Sequence, residues 1–372
     1  MVSQPVPRDL IGVTGVRPLP ATMRAVVLTG HGGYERLGLR HDVPVPHCGP
    51  DDVLIRVAAA GVNNTDINTR IGWYSKAVAA PTESGAATGL AGAKDDGWSG
   101  TPFHFPRIQG ADACGYIVAV GQNIDAKRVG ERVLVEPVFR TDAGFDVQYF
   151  GSEVDGAFAE YARVPARFAH AITSALSDVD LASFPCAYSA AENMLTRISL
   201  SQGDRVLVTG ASGGVGSAAV QLAKRRGAEV IAMVGVEKAS PVKALGADHV
   251  IDRDADIDRI FGDSSLDAAV DCVGGPRFGS ILNCLKPGGR YGIAGAISGP
   301  MVDLDLRTLY LKDLQLFGCT VLTPEIFPNL IHAIEQSEIK PCIAATYDLA
   351  DIVDAQTAFL SKRHVGKIVL TI

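Results

Sequence analysis

The sequence predicts an α/β protein of two domains, one mainly β and the other a doubly wound parallel sheet. Its 372 residues exceed what a single hydrophobic core ordinarily serves. Up to about residue 171, short apolar runs alternate with Gly, Pro and Asp punctuation, as in strands joined by turns. From about residue 182 to 320 the rhythm becomes strand, helix, strand, with strands apolar on both faces. That pattern belongs to a parallel sheet covered by helices.

The elements follow in order. In the first region the runs are Arg24-Ala25-Val26-Val27-Leu28, Val53-Leu54-Ile55-Arg56-Val57, Gly115-Tyr116-Ile117-Val118-Ala119-Val120 and Arg132-Val133-Leu134-Val135. In the second, the apolar run Arg205-Val206-Leu207-Val208-Thr209 predicts a buried strand, with a helix over 217–226. A strand over 229–234 and a helix through Ala244 come next, then strands near 249–251, 268–270, 290–294 and 314–317. The stretch after Pro324 holds helices and one last strand, Lys367-Ile368-Val369-Leu370, and is too short to form a third core. It is expected to return to the first domain, giving residues 1–182 completed by 324–372, and a second domain over 183–323.

Composition narrows the function. A net charge of -7 without a Lys/Arg run excludes nucleic acid as the main partner. No apolar stretch approaches the roughly 18 to 20 residues that span a bilayer, so no membrane partner is expected. Residues 1–22 lack the charged start and apolar block of a secretory signal and read as an N-terminal arm. The seven cysteines are odd in number, scattered and free of CxxC pairs, which fits reduced thiols in a cytoplasmic enzyme.

The strand ending at Thr209 runs into Gly210-Ala211-Ser212-Gly213-Gly214-Val215-Gly216. Glycines let the backbone turn tightly and approach a pyrophosphate, and a helix N-terminus offers free N–H groups to it. Between a buried strand and an amphipathic helix, this segment predicts a dinucleotide site. An NAD site normally places Asp or Glu at the end of the next strand, for the ribose hydroxyls. Here that corner is Val234, followed by Gly235 and Val236, with Lys238 and Arg253 within reach of a 2′-phosphate. NADPH is therefore expected, although both cations also suit solvated surface positions and Glu237 could serve a ribose.

Taken together, the glycine loop with Ser217-Ala218-Ala219-Val220-Gln221, the segment Asp271-Cys272-Val273-Gly274 and Leu285-Lys286-Pro287-Gly288-Gly289-Arg290 resemble the cofactor half of the medium-chain dehydrogenase/reductase superfamily. Ala211 points to the quinone oxidoreductase-like branch. In the other half, Met23-Arg24-Ala25-Val26, Gly61-Val62-Asn63-Asn64-Thr65-Asp66 and Gly156-Ala157-Phe158-Ala159-Glu160-Tyr161 fall in family order. The resemblance implies a GroES-like catalytic domain, a Rossmann domain, a cleft between them and a homodimer joined at sheet edges. It also implies cofactor contacts from Cys272, Val273, Gly274, Ala294 and Gly295.

Zinc-dependent members hold their catalytic ion with Cys, His and Cys. At the matching positions stand Asn63, Ala111 followed by Asp112, and Cys186. One thiolate without an imidazole makes no tight tetrahedral site, so no catalytic zinc is expected. The lobe over 136–144, where a structural zinc would sit, holds no Cys. Without a Lewis acid, reduction of an already electrophilic quinone or conjugated carbonyl is the easier chemistry. Alternatives are a zinc-lacking alcohol dehydrogenase-like enzyme acting on another carbonyl, and a non-catalytic NADPH-binding protein. The resemblance places Asn63, Thr65 and Tyr74 at the substrate, as donors to a developing oxyanion or as a proton relay. Asn63 and Asp66 equally suit a turn, and Trp73 and Tyr74 a packed wall. An insertion over 75–105, containing Trp98, Phe103 and His104, is expected at the cleft mouth as a lid or specificity loop, or as a disordered, functionless insertion.

Overall fold

The computed structural model describes residues 18–94, 97–100, 102–141 and 146–372. The first 17 residues of the expected N-terminal arm, and residues 142–144 of the lobe, lie outside the described residues. The first half contributes β1 (Thr22–Leu28), β2 (Leu37–Pro44), β3 (Asp52–Val62), α1 (Asn64–Ile71), β4 (Arg107–Ile108), β5 (Cys114–Val120), β6 (Arg132–Val135), β7 (Val138–Arg140), β8 (Val147–Tyr149), β9 (Tyr161–Pro165) and β10 (Ala169–Ala171). Helices α2 (Asp178–Leu181) and α3 (Pro185–Arg197) lead into the second half. There follow β11 (Arg205–Val208), α4 (Gly214–Arg225), β12 (Glu229–Val234), α5 (Ala239–Ala244), β13 (His249–Asp252), α6 (Ile257–Phe261), β14 (Leu266–Asp271), α7 (Phe278–Cys284), β15 (Leu285–Ile293), α8 (Leu306–Leu311) and β16 (Gln315–Gly318). The chain closes with α9 (Ile326–Glu335), β17 (Ile343–Asp348), α10 (Ile352–Leu360) and β18 (Lys367–Thr371).

The second half forms one six-stranded parallel sheet in the order β13-β12-β11-β14-β15-β16. The strand order reverses between β11 and β14, so their carboxyl ends open a crevice for a ligand. Both faces of these strands are covered, and Val206, Leu207, Val208, Ile231, Ala269 and Val270 are buried. Helix α4 begins at Gly214, three residues earlier than the sequence suggests. Gly214, Val215 and Gly216 are therefore its first turn, aimed at the crevice.

The first half is built around β3, which pairs with β5, β9 and β18. Its small residues Ala59, Ala60 and Gly61 are buried where β18 lies against it. The closing segment supplies two strands rather than one. β18 lies between β17, parallel to it, and β3, antiparallel to it. The sequence missed β17 because one face is exposed and Ala344 and Ala345 blunt the apolar signal. Helix α9 packs against α3, with Phe327, Leu330 and Ile334 in the core shared by α3, α4 and the parallel sheet.

The described part of the 75–105 insertion is tied to both halves. The buried Arg70 guanidinium donates to the carbonyls of Gly32 and Ala86 and to Gln356 Oε1, at 2.8 to 2.9 Å. The Thr82 N–H reaches the Ile297 carbonyl at 3.2 Å, across the cleft. His104 is exposed at the surface. Among the described residues no helix is long and apolar enough to cross a membrane, and all seven cysteines are free thiols.

Candidate active site

The crevice is a cavity of about 380 Å³ above the carboxyl ends of β11 and β14. Of the residues expected at the cofactor, Gly210, Ser212, Gly213, Gly214, Gly235, Lys238, Arg253, Val273 and Gly274 line it. Ala211, Val215, Gly216, Cys272, Ala294 and Gly295 are not among its lining. Ala211 is fully buried and its N–H bonds the Met233 carbonyl, tying the loop to β12. A Cβ on Gly216 would lie 2.2 Å from the Gly210 carbonyl oxygen, so only glycine lets the helix start this close to the turn. Gly210 itself has a φ of 57°, in the left-handed region.

The opposite wall hangs on Asp271, which is fully buried. Its carboxylate accepts from Thr209 Oγ1 at 2.5 Å, from the N–H groups of Val273 and Gly274 at 2.7 and 3.1 Å, and from the Tyr291 hydroxyl. The Val273-Gly274 turn is thereby fixed beside the cavity. Two buried polar atoms on lining residues, Asn64 Oδ1 and His364 Nδ1, have no hydrogen-bond partner among the described residues. Unpaired buried acceptors and donors are costly, and a dinucleotide's ribose, amide and phosphate groups would satisfy them. The glycine cradle and these unpaired atoms fit such a group.

The corner at Val234 and Gly235 gathers cations and carboxylates. Glu237 lies over Gly235, where a Cβ would come within 2.6 Å of its carboxylate, and 3.9 Å from the Lys238 ammonium, and Arg253 lies 3.8 Å from Asp254. Lys238 is buried, its ammonium donating to the Lys362 carbonyl. The Lys362 ammonium lies 4.1 Å from the centre of the Phe359 ring. Its pKa is pulled down to about 8 by burial of that end, with nearby Lys238 adding to the fall and Glu83 opposing it. Burial likewise lowers Lys238, and lowers His364 to about 4, helped by Lys362 and Lys238. Arg253 faces the same cavity from an exposed position. Crowded, desolvated cations of this kind gain from an added anion. Sequence reasoning found Lys238 and Arg253 but missed Lys362, which the chain's last helix brings in from far away.

A second cluster of buried polar side chains begins where β3 ends. Asn63 caps α1, and its backbone N–H donates to Asp66 Oδ2 at 2.7 Å. Its amide hydrogens are both used within the protein, on the Gly61 carbonyl at 3.2 Å and on Asp112 Oδ2 at 2.7 Å. Its Oδ1 accepts from the Lys367 ammonium. As it stands, Asn63 has no hydrogen left for a substrate oxygen, which departs from the donor role expected of it. Lys367 is 2% exposed and also donates to Asp112 Oδ2 at 2.7 Å and to the Val62 carbonyl at 3.2 Å. Asp112 Oδ1 accepts the Cys186 N–H at 2.6 Å, at the start of α3. Asp66, buried beneath, has its pKa raised to about 7 by desolvation, although N–H groups of Asn63 and Gly110 and the charge of Lys367 oppose the rise.

Thr65 and Tyr74 come together, the Tyr74 hydroxyl donating to Thr65 Oγ1 at 3.2 Å. Burial raises the Tyr74 phenol, so it stays protonated. The Cys186 thiol, pushed up to about 12 by burial and the neighbouring Asp112, sits 3.0 Å from the Tyr149 hydroxyl. Trp98 of the insertion stacks on Tyr149, with ring centroids 4.4 Å apart and planes inclined by 30°. Among the described residues, no three His, Cys, Asp or Glu side chains gather in a way that would hold a metal ion. Tyr149 and Lys367 were not found by sequence reasoning. For Lys367 one signal existed, a lone lysine opening an otherwise apolar strand.

Comparison with known proteins agrees with this geometry. Residues 49–174 match the family model for the alcohol dehydrogenase GroES-like domain, and residues 214–336 that for zinc-binding dehydrogenase. The chain is 28% identical to the acryloyl-coenzyme A reductase of Sulfurisphaera tokodaii, covering 94% of this chain and 99% of that one. It is 30% identical to the quinone oxidoreductase of Lama guanicoe, covering 94% and 97%. Among solved structures it is similar to a Sinorhizobium meliloti 1021 protein provisionally described as an alcohol dehydrogenase, with 43% identity, a TM-score of 0.85, and 95% and 97% of the two chains covered. It is also similar to the 2-octenoyl-CoA carboxylase reductase CinF, solved with NADP and 2-octenoyl-CoA, with 25% identity, a TM-score of 0.80, and 95% and 88% covered.

Proposed function

The chain belongs to the medium-chain dehydrogenase/reductase superfamily of oxidoreductases, and on that premise we propose that it uses NADPH to reduce a carbon–carbon double bond conjugated to a carbonyl, or a quinone, without catalytic zinc. One observation carries the reading. Asn63 and Ala111 stand where a thiolate and an imidazole would have to bind zinc, and the Lys367 ammonium donates to the Asn63 Oδ1 and Asp112 Oδ2 found there. A site with one thiol and no imidazole is poorly suited to the ion that alcohol oxidation needs, whereas an acceptor already polarised by conjugation needs none. The names of three relatives, an acryloyl-coenzyme A reductase, a 2-octenoyl-CoA carboxylase reductase and a quinone oxidoreductase, support that acceptor class.

Residues 183–323 hold most of the dinucleotide, joined by Asn64, Lys362 and His364 from the other domain, and residues 1–182 with the returning segment of 324–372 shape the acceptor pocket. The Lys238, Lys362 and Arg253 corner favours the 2′-phosphate of NADPH, and CinF, with NADP bound, supports the same choice. When bound, the nicotinamide supplies a hydride to the β-carbon of the acceptor. Negative charge then grows on the acceptor's oxygen, and the Thr65 hydroxyl is the group free to meet it. Thr65 accepts from Tyr74, so its own hydrogen points elsewhere. A proton it gives to the product oxygen is replaced through Tyr74 and in turn from solvent, and the enol so formed gives its O–H proton to water while the α-carbon takes one from water. Asn63 holds the turn in place rather than donating. A dimer joined through β16 fits the exposed Leu316 on that edge strand and the exposed Leu306, Tyr310 and Leu311 beside it. Free thiols throughout suit a reducing, cytoplasmic setting.

The test is a panel of enoyl-CoA esters, simple enones, quinones and aldehydes, each with NADPH and with NADH, on protein dialysed against a chelator. Conjugated acceptors are expected to drive NADPH oxidation. Turnover only with aldehydes or alcohols, restored by added zinc, would reverse the assignment.

A further inference from the structure

Lys367 is the first residue of β18, and its side chain spans the molecule's two working loops. Its backbone N–H bonds the Cys342 carbonyl at 2.8 Å, and the N–H of the preceding Gly366 bonds the Ser212 carbonyl of the glycine loop at 2.8 Å. Its stem lies against the first turn of α4, so that a Cβ added at Gly214 would come within 2.7 Å of Lys367 Cδ. Beyond that contact the ammonium spends all three hydrogens inside the protein, on the Val62 carbonyl, Asn63 Oδ1 and Asp112 Oδ2. Asp112 passes the connection on to the Cys186 N–H at the start of α3. The approach is close enough that a side chain at Gly61 would place its Cβ 2.3 Å from Asp112 Oδ2.

A buried ammonium is expensive unless paired and fully hydrogen-bonded, as this one is. With no hydrogen left over, it can neither donate to a substrate nor deliver a proton. What it does hold is register. The cofactor loop touches its stem and the backbone of the preceding Gly366, and the Asn63 turn, two residues from the Thr65 hydroxyl, touches its tip. We propose that Lys367 is a positioning residue of the active site, locking the Asn63–Thr65 turn and the start of α3 to the glycine loop so that acceptor and nicotinamide meet at reacting distance. This rests on the reductase reading given above. Misplacement by about 1 Å costs a catalysed reaction on the order of a hundredfold, so the effect belongs in turnover, not in cofactor binding.

The experiment compares the wild type, Lys367→Met and the double variant Lys367→Met/Asp112→Asn in the full chain. The double variant removes both buried charges and so avoids the folding defect that an unpaired Asp112 would cause. Melting temperature, the Kd for NADPH, steady-state kinetics with the best acceptor of the panel and the primary deuterium isotope effect with NADPH labelled at C4 are measured for each. The double variant is expected to melt near the wild type and bind NADPH within about threefold of it. Its kcat should be at least tenfold lower, with a larger isotope effect on kcat as hydride transfer becomes the slow step. A double variant that is stable and turns over at the wild-type rate with an unchanged isotope effect overturns the proposal. A wild type that reduces no acceptor of the panel instead removes the reductase reading on which it rests.

Discussion

Lys238 offers the sharpest handle on cofactor choice. Its ammonium is buried at the corner beyond Gly235 and uses one hydrogen on the Lys362 carbonyl, leaving two for a phosphate in the cavity it lines. A hydrogen bond to a charged group contributes roughly 1.5 to 3 kcal/mol. Lys362 and Arg253 remain to share the charge, so the lower part of that range applies. Replacing Lys238 by Met should therefore cost NADPH about 2 kcal/mol, or roughly thirtyfold in Kd. NADH, with no 2′-phosphate, should lose less than about twofold and serves as the internal control. The assay is an equilibrium titration of each nucleotide by nicotinamide fluorescence, on wild type and variant. Equal losses for both nucleotides would mean that Lys238 merely supports the fold of the corner. An unchanged NADPH affinity would refute the phosphate assignment.

Further outcomes follow from the same site. Lys362, with a pKa near 8, must be protonated to pair with a phosphate, so below pH 8 binding needs no added proton. Above that pH binding must take one up, and NADPH affinity should weaken by up to about tenfold per pH unit while NADH affinity stays level. Lys362→Met should flatten the NADPH curve in the same titration. Thr65→Val should lower kcat by about a hundredfold and Tyr74→Phe by about tenfold, the two together no worse than Thr65→Val alone, as the proposed single relay requires. Trp98→Ala removes the ring stacked on Tyr149 and widens the acceptor side. The ratio of kcat/KM for a long-chain over a short-chain acceptor should rise by several fold, and an unchanged ratio would show that Trp98 does not line the acceptor's path.

How much of this was legible depends on how local each feature is. The glycine loop could be read because a tight turn beneath a helix start demands glycine at Gly210 and Gly216, whatever lies elsewhere in the chain. The uncharged corner at Val234-Gly235 was legible for the same reason, being the end of one strand. The start of α4 was placed three residues late because Gly214 and Gly216 read as loop, although tertiary contact holds them helical. Lys367 was not legible as part of the site, since its partner Asn63 lies 304 residues away. Nor could the sequence show which way the Asn63 amide faces. Its position suggested a donor, but two buried acceptors, the Gly61 carbonyl and Asp112, claim its hydrogens first. The insertion over 75–105 is expected at the cleft mouth, and its contacts there depend on residues far away in the chain. Thr82 and Glu83 line the cofactor cavity and Trp98 packs on Tyr149, while His104 faces solvent.

The most direct test of the central claim follows the hydride itself. Chelator-treated enzyme is given an α,β-unsaturated acyl-CoA and NADPH deuterated at the transferred C4 position, and the product is examined by NMR. Deuterium on the β-carbon of a saturated thioester, at the same rate with and without added zinc, is the predicted result. Deuterium on a carbonyl-derived carbon of an alcohol, or transfer that appears only when zinc is restored, would contradict it.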